Sequence, residues 1–258
     1  MTKSVISLYQ NSYVSKAVEA MDENNVGSIV VLDSLGPCGI FTERDLLCKV
    51  LWRDRDPAAT VLTEVLSPVL PAINFRETLV TGAEIMAKKR SRLMIFDGED
   101  LVGILTTTDV VRAIASQNVD FSIDSVLTKH VLSAPSETPI DVIIDEMKER
   151  GIGSIIVSYG GGQVGIFTER DLVKRVVAPH RTLNTEVGRV ASSPLITGEA
   201  ESTGMEAAES MYWHGIKRLP LSVNGVVVRI VTARDVVEAF ARSSQPFGAS
   251  HVAWSQWN

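Results

Sequence analysis

The heptapeptide Gly39-Ile40-Phe41-Thr42-Glu43-Arg44-Asp45 recurs letter for letter as Gly165-Ile166-Phe167-Thr168-Glu169-Arg170-Asp171, and this repetition decides how the chain is read. Two weaker copies supply Thr106 and Thr232, so that Thr42, Thr106, Thr168 and Thr232 stand 64, 62 and 64 residues apart. Three residues after each threonine comes an aspartate: Asp45, Asp109, Asp171 or Asp235. The 258-residue chain is one unit of about sixty residues written four times. Units that short bury little surface alone, so each must close its apolar face against another copy. The nearest matches lie 126 residues apart, Thr42 with Thr168 and Thr106 with Thr232, which predicts two tandem pairs. The expected bounds are 1–60, 61–121, 122–184 and 185–243, followed by a tail at 244–258.

Within a unit, Val14, Val18 and Met21 fall at i, i+4 and i+7, as do Ile140, Ile144 and Met147, and Leu79, Ala83 and Met86 keep the stripe. Each stretch predicts an amphipathic helix, with Ser12 and Thr138 as N-caps and Pro139 in the first turn. Two β-rich runs joined by a turn follow, GSIVVL then CGIF in the first unit and GSIIVSY then VGIF in the third. Turn formers fill the connections Asp33 to Pro37, Asp97 to Asp100, Gly160 to Gln163 and Asn224 to Gly225. The triple glycine at Gly160 to Gly162 lacks the GK[ST] of a phosphate loop and reads as a turn. A second helix follows each TxxD, at 45–52, 109–115, 171–177 and 235–241, and a leading strand such as Val5 to Leu8 or Val131 to Leu132 completes a β-α-β-β-α unit. The fold class expected is α/β (α+β), with TxxD at a strand-to-helix junction.

TxxD at a helix start has two physical readings. As a capping box, the Thr hydroxyl accepts from the N3 amide and the N3 carboxylate reaches back to the N-cap amide. As a ligand site, free amides at the positive helix end attract an anion, and the Asp accepts from a ribose diol. Arg44, Arg170 and Arg234 sit in the first turn, where a positive charge opposes the helix dipole and a phosphate would compensate it. Fourteen residues before each Thr stand Ser28, Arg92, Ser154 and Arg218, with Lys217 beside the last. The even copies are basic where the odd copies are small, so an even copy paired with an odd one would supply phosphate-binding cations. Edge-strand charges that discourage aggregation are the alternative.

Composition narrows the function classes. Apolar residues make up 45% and charged residues 22%, the balance of a compact domain. No apolar run approaches the roughly 18 residues of a membrane span, and the start MTKSVISLYQ lacks a secretory pattern, so a cytoplasmic protein without a membrane partner is expected. Cys38 and Cys48 form no CxxC or zinc spacing. The net charge of −6 argues against general nucleic-acid binding. His130, His180, His214 and His251 are scattered without a nucleophile motif, which predicts a non-enzyme with no catalytic residue and no metal.

Four glycine-apolar-apolar-Thr-x-x-Asp junctions at constant period, each after a hairpin, resemble the CBS domain, the cystathionine beta-synthase-type repeat. Four copies in one chain are similar to the regulatory gamma subunit of AMP-activated protein kinase and to stand-alone prokaryotic CBS proteins. The resemblance implies two tandem pairs forming a flat disc, either a monomeric disc or a homodimer. It also implies energy sensing: AMP, ADP or ATP held in clefts between paired repeats as a regulatory ligand, with signalling to a protein partner. S-adenosylmethionine binding and a structural scaffold with empty clefts are the alternatives. By the same resemblance Thr42, Asp45, Thr106, Asp109, Thr168, Asp171, Thr232 and Asp235 would hold ribose and phosphate, Lys217 and Arg218 would meet phosphate, and Ser4 and His130 would lie near the adenine entry. Two departures predict unequal sites: Arg229 replaces the glycine seen as Gly39, Gly103 and Gly165, and Thr108 stands where the other copies have Arg. In the tail, Trp254 and Trp257 share one face if helical.

Overall fold

The computed structural model describes residues 5–68, 70–89, 92–116, 120–126 and 131–243. Repeat one runs β1 (Ser7–Tyr9), α1 (Val14–Glu23), β2 (Ser28–Asp33), β3 (Gly36–Thr42) and a single turn α2 (Glu43–Asp45). Repeat two is β4 (Ala72–Asn74), α3 (Leu79–Lys89), β5 (Leu93–Asp97), β6 (Asp100–Leu105) and α4 (Thr107–Ala115). Repeat three is β7 (Ser133–Pro135), α5 (Ile140–Glu149), β8 (Ser154–Tyr159), β9 (Gly162–Thr168) and α6 (Glu169–Asp171). Repeat four is β10 (Gly198–Glu199), α7 (Gly204–His214), β11 (Arg218–Val223), β12 (Val226–Thr232) and α8 (Ala233–Ser243). The β-α-β-β-α order expected from the sequence is therefore present four times. The leading strands start about two residues later than the sequence suggested, although pairing begins with Ile6 O and Leu132 O accepting from Val30 N and Ile156 N.

Each repeat carries a three-stranded sheet whose central strand is the first strand of the hairpin, parallel to the leading strand and antiparallel to the other. All four hairpins slip register at the same place: Val31/Leu32, Ile95/Phe96, Val157/Ser158 and Leu221/Ser222. That bulge lies one residue ahead of Gly39, Gly103, Gly165 and Arg229, and an added residue there bends the strand before it enters the Thr–Asp junction.

The copies that share a core are the near-identical ones, separated by 126 residues, rather than neighbours in sequence. Repeats one and three form one compact unit, and repeats two and four another. In the odd unit the predicted stripes meet: Val14, Val18 and Met21 with Ile140, Ile144 and Met147, around Phe41 and Phe167 of the heptapeptides, all essentially buried. In the even unit Leu79, Ala83 and Met86 join Ala207, Ala208 and Met211, with Val110, Ile114, Val236 and Val237 from α4 and α8. Phe121, on the segment after repeat two, packs edge-on to Phe240 with ring centroids 5.8 Å apart and lies over the start of α7. A Cβ at Gly204 would lie within 2.1 Å of that ring, so the aromatic seat requires glycine.

Two local expectations are corrected. The N-caps of α1 and α5 are Tyr13 and Pro139, without a side-chain cap, in place of Ser12 and Thr138. Connecting segments take over that role: Thr60 O and Pro57 O accept from Val14 N and Ser15 N, and Thr185 O and Leu183 O from Ile140 N and Asp141 N. After TxxD the even repeats form regular α4 and α8, whereas the odd ones widen into π-helix at Leu46–Val50 and Leu172–Val177. Among the described residues no helix is long and apolar enough to cross a membrane.

Candidate functional site: the Thr–Asp junctions

All four junctions are built alike. Thr42 N and Oγ1 donate to Asp45 Oδ2 at 3.0 and 2.6 Å, and Thr106 donates likewise to Asp109 at 2.9 and 2.7 Å. Thr168 and Asp171 repeat the geometry at 2.8 and 2.7 Å, as do Thr232 and Asp235 at 2.8 and 2.7 Å. The return bond, from the Asp amide to Thr Oγ1, is 3.1 Å at Asp45, 3.4 Å at Asp171 and 3.3 Å at Asp235. This is the capping box anticipated from TxxD. It also consumes amides that the anion reading had left free, because Glu43 N, Glu169 N and Ala233 N donate in turn to Gly27 O, Gly153 O and Lys217 O.

In the odd repeats a neighbouring strand completes the site. The backbone of Ser67 bridges Ile40, with N–O distances of 2.9 and 2.8 Å, and Ser192 bridges Ile166 at 2.9 and 2.8 Å. The heptapeptide glycine makes that approach feasible: a Cβ at Gly39 or Gly165 would lie 2.7 Å from Ser67 O or Ser192 O. Ser67 Oγ then donates to Asp45 Oδ1 at 2.7 Å, and Ser192 Oγ to Asp171 Oδ1 at 3.0 Å. A cation one helical turn on joins each carboxylate, Lys49 Nζ at 2.8 Å from Asp45 Oδ1 and Arg175 Nε at 3.5 Å from Asp171 Oδ1. Sequence reasoning missed Ser67, Ser192, Lys49 and Arg175. The signal was nonetheless present, since both odd copies carry a base four residues after Asp, where the even copies have Ala113 and Ala239.

Arg44 and Arg170 have partners other than the phosphate the sequence suggested. Arg44 Nη1 lies 3.0 Å from Glu169 Oε1 and donates to Ile152 O at 2.6 Å, while Arg170 Nε lies 3.6 Å from Glu43 Oε1 and Nη2 donates to Asn25 O at 3.3 Å. The Glu-Arg pair of one heptapeptide thus answers the Arg-Glu pair of the other across the shared core. Arg234 is exposed in the first turn of α8, and Thr108 is exposed in α4.

The fourteen-residue spacing is a cross-strand pairing. Ser28 faces Thr42, Ser154 faces Thr168 and Arg218 faces Thr232, each directly opposite on the hairpin. Leu93 pairs with Leu105, which puts Arg92 level with Thr106. A base therefore stands beside the junction in even repeats and a serine in odd ones, with Lys217 half-buried next to Arg218. Ser4 and His130 lie outside the described residues, as does the tail with Trp254 and Trp257. Arg229 Nη1 approaches Asp124 Oδ1 at 4.0 Å.

Burial raises the carboxyl of Asp171 above its ordinary value of 3.8, against the pull of Thr168, Arg175 and Ser192. Burial likewise raises Asp235, which Thr232 offsets only in part. Among the described residues no cluster of His, Cys, Asp and Glu has metal-binding geometry.

Comparison with known proteins places the junctions in a family. A profile described as the CBS domain matches residues 1–51, 62–116, 123–178 and 187–242. Methanocaldococcus jannaschii MJ1404 is 25% identical over 265 residues, covering 93% of this chain and 61% of its own length. A 33.4 kDa protein of the ribosomal RNA operon of Thermofilum pendens is 26% identical over 184 residues, or 66% of this chain and 60% of its own. The chain thus spans about three fifths of the length of these curated relatives. The crystal structure of M. jannaschii MJ1225, described as a candidate archaeal homologue of g-AMPK, superposes with a TM-score of 0.77 at 21% identity, covering 93% of this chain and 97% of that one. A Pyrococcus horikoshii structure gives 0.64 at 20% identity, with coverage of 93% and 97%. At such identities the likeness is one of fold, whereas the profile match extends over most of the sequence. The chain belongs to the CBS domain family and carries four copies of the domain.

Proposed function

We propose that the chain is a non-catalytic regulatory module that binds adenosine phosphates, AMP, ADP or ATP, at its Thr–Asp junctions and passes the bound state to a protein partner. The observation that carries this reading is the juxtaposition in repeat four, where Thr232 and Asp235 stand directly opposite Arg218 and beside Lys217. A carboxylate suits a ribose diol and a neighbouring guanidinium suits a phosphate, so one nucleotide can satisfy both. Arg92 beside Thr106 and Asp109 offers the same chemistry in repeat two. The solved relative described as a g-AMPK homologue supports the choice of adenosine phosphates over S-adenosylmethionine, whose sulfonium would be repelled by these bases.

A second reading, a scaffold in which TxxD only caps helices, is favoured by one observation: the Thr–Asp bonds are complete at all four junctions without any ligand. Titration calorimetry of ligand-stripped protein with AMP, ADP, ATP and S-adenosylmethionine separates the two. Saturable binding of an adenosine phosphate is expected; heats of dilution alone up to millimolar concentration would leave the scaffold reading in its place.

A further inference from the structure

The four aspartates differ in how many of their acceptor sites the protein itself fills. A carboxylate has about four lone-pair positions for donors. At Asp45, Oδ2 takes Thr42 N and Oγ1 while Oδ1 takes Ser67 Oγ at 2.7 Å and Lys49 Nζ at 2.8 Å, so every position is used. Lys49 is saturated in turn: its ammonium reaches Asp45 Oδ1, Ser67 Oγ at 2.8 Å and Leu66 O at 3.0 Å, one acceptor for each of its three protons. Repeat three copies the arrangement with different chemistry. Asp171 Oδ1 receives Ser192 Oγ and Arg175, whose Nη1 also donates to Val190 O at 3.2 Å and Ala191 O at 2.7 Å.

Repeat four lacks these parts. The position four residues after Asp235 is Ala239, buried at 3% exposure, and no basic side chain of the described residues lies within ion-pair distance of Asp235. Its Oδ2 holds Thr232, and no donor to Oδ1 is present among the described residues. Two acceptor positions on one oxygen of a largely buried carboxylate match the two hydroxyl donors of a vicinal diol.

We propose that Lys49 and Arg175 are resident latches that occupy Asp45 and Asp171, so that the odd repeats use these carboxylates to hold the Ser67 and Ser192 strands, while Asp235 in repeat four is the carboxylate that receives a ribose diol. This rests on the nucleotide reading above and narrows it to one repeat. It also reverses the ranking suggested by the sequence, in which the two identical heptapeptides looked like the best ligand positions. Identity there serves the shared core and the latch.

The test is calorimetry of the full chain with AMP and with 2′-deoxy-AMP. Asp235→Ala is expected to weaken AMP about tenfold or more, and removal of the 2′-hydroxyl to weaken binding to the parent protein but not to Asp235→Ala. Asp45→Ala and Asp171→Ala are expected to leave AMP affinity unchanged. The paired change Lys49→Met with Arg175→Met is expected to raise the number of AMP bound per chain. Loss of binding in Asp45→Ala, Asp171→Ala or Asp109→Ala, with Asp235→Ala unaffected, overturns the assignment to repeat four. Total absence of AMP binding defeats the nucleotide reading and the diol assignment together, and the latch is then decided separately by a urea double-mutant cycle between Lys49→Met and Asp45→Asn. Coupling between the two changes is expected; additive effects overturn the latch.

Discussion

Replacing Arg44 by alanine removes two bonds that join repeat one to repeat three: the 3.0 Å pair with Glu169 and the 2.6 Å donation to Ile152 O. Hydrogen bonds to charged groups contribute about 1.5–3 kcal/mol when buried, and exposed pairs a few tenths. The Arg44 side chain is 38% exposed while that of Glu169 is 10% exposed, which puts the loss between these limits, at about 1–2 kcal/mol. For a chain of this size that lowers the melting midpoint by roughly 2–8 °C. Arg170 makes the pseudo-equivalent contacts at 3.6 and 3.3 Å, so Arg170→Ala is expected to cost about half as much. Urea and thermal melts of both variants measure this, together with the exchange Arg44→Glu with Glu169→Arg, which should recover part of the loss because only the Ile152 bond stays broken. Refutation would be an Arg44→Ala protein that melts with the parent, or a larger effect at Arg170.

Other changes probe other layers. Gly165→Ala forces a methyl to within 2.7 Å of Ser192 O, so the bridging strand must shift; a loss of about 1–3 kcal/mol in urea unfolding is expected, with faster amide exchange at Ile166 and Ser192. Phe167 is fully buried in the core shared by repeats one and three, and Phe167→Ala is expected to cost about 3–5 kcal/mol in the same assay. The carboxyl of Asp235 is raised above 3.8, so its contribution to stability is fully present below that pH and lost as pH rises through the folded-state value. Relative to Asp235→Asn, the parent protein should therefore gain stability as urea melts are moved from about pH 7 to about pH 4, and a gain in the opposite direction would contradict burial as the cause.

The repeat period, the hairpins, the helical stripes and the Thr–Asp boxes were legible in the sequence because each depends on spacing within one copy. Partnership was not. The 126-residue similarity marked the copies that share a core, yet periodicity alone cannot distinguish that from pairing with the next copy, since Phe41 and Phe167 would be apolar in either case. The role of Arg44 was hidden for the same reason: its compensating charge is Glu169 of another copy, whereas local reasoning offered only its own helix dipole. Likewise Ser67 reaches Asp45 across 22 residues, through a backbone bridge that only the absence of a Cβ at Gly39 hints at. What could have been read earlier is the alternation of Lys49, Ala113, Arg175 and Ala239.

The central claim is that an adenosine phosphate is held at a Thr–Asp junction, and a crystal structure of the full chain grown with AMP tests it most directly. The account predicts density for the ribose against Asp235 Oδ1 with the phosphate toward Arg218 and Lys217, while Asp45 remains bound to Ser67 and Lys49. Density for AMP at Asp45 or Asp171 with those serines and bases displaced, or AMP seated away from every Thr–Asp junction, would contradict it.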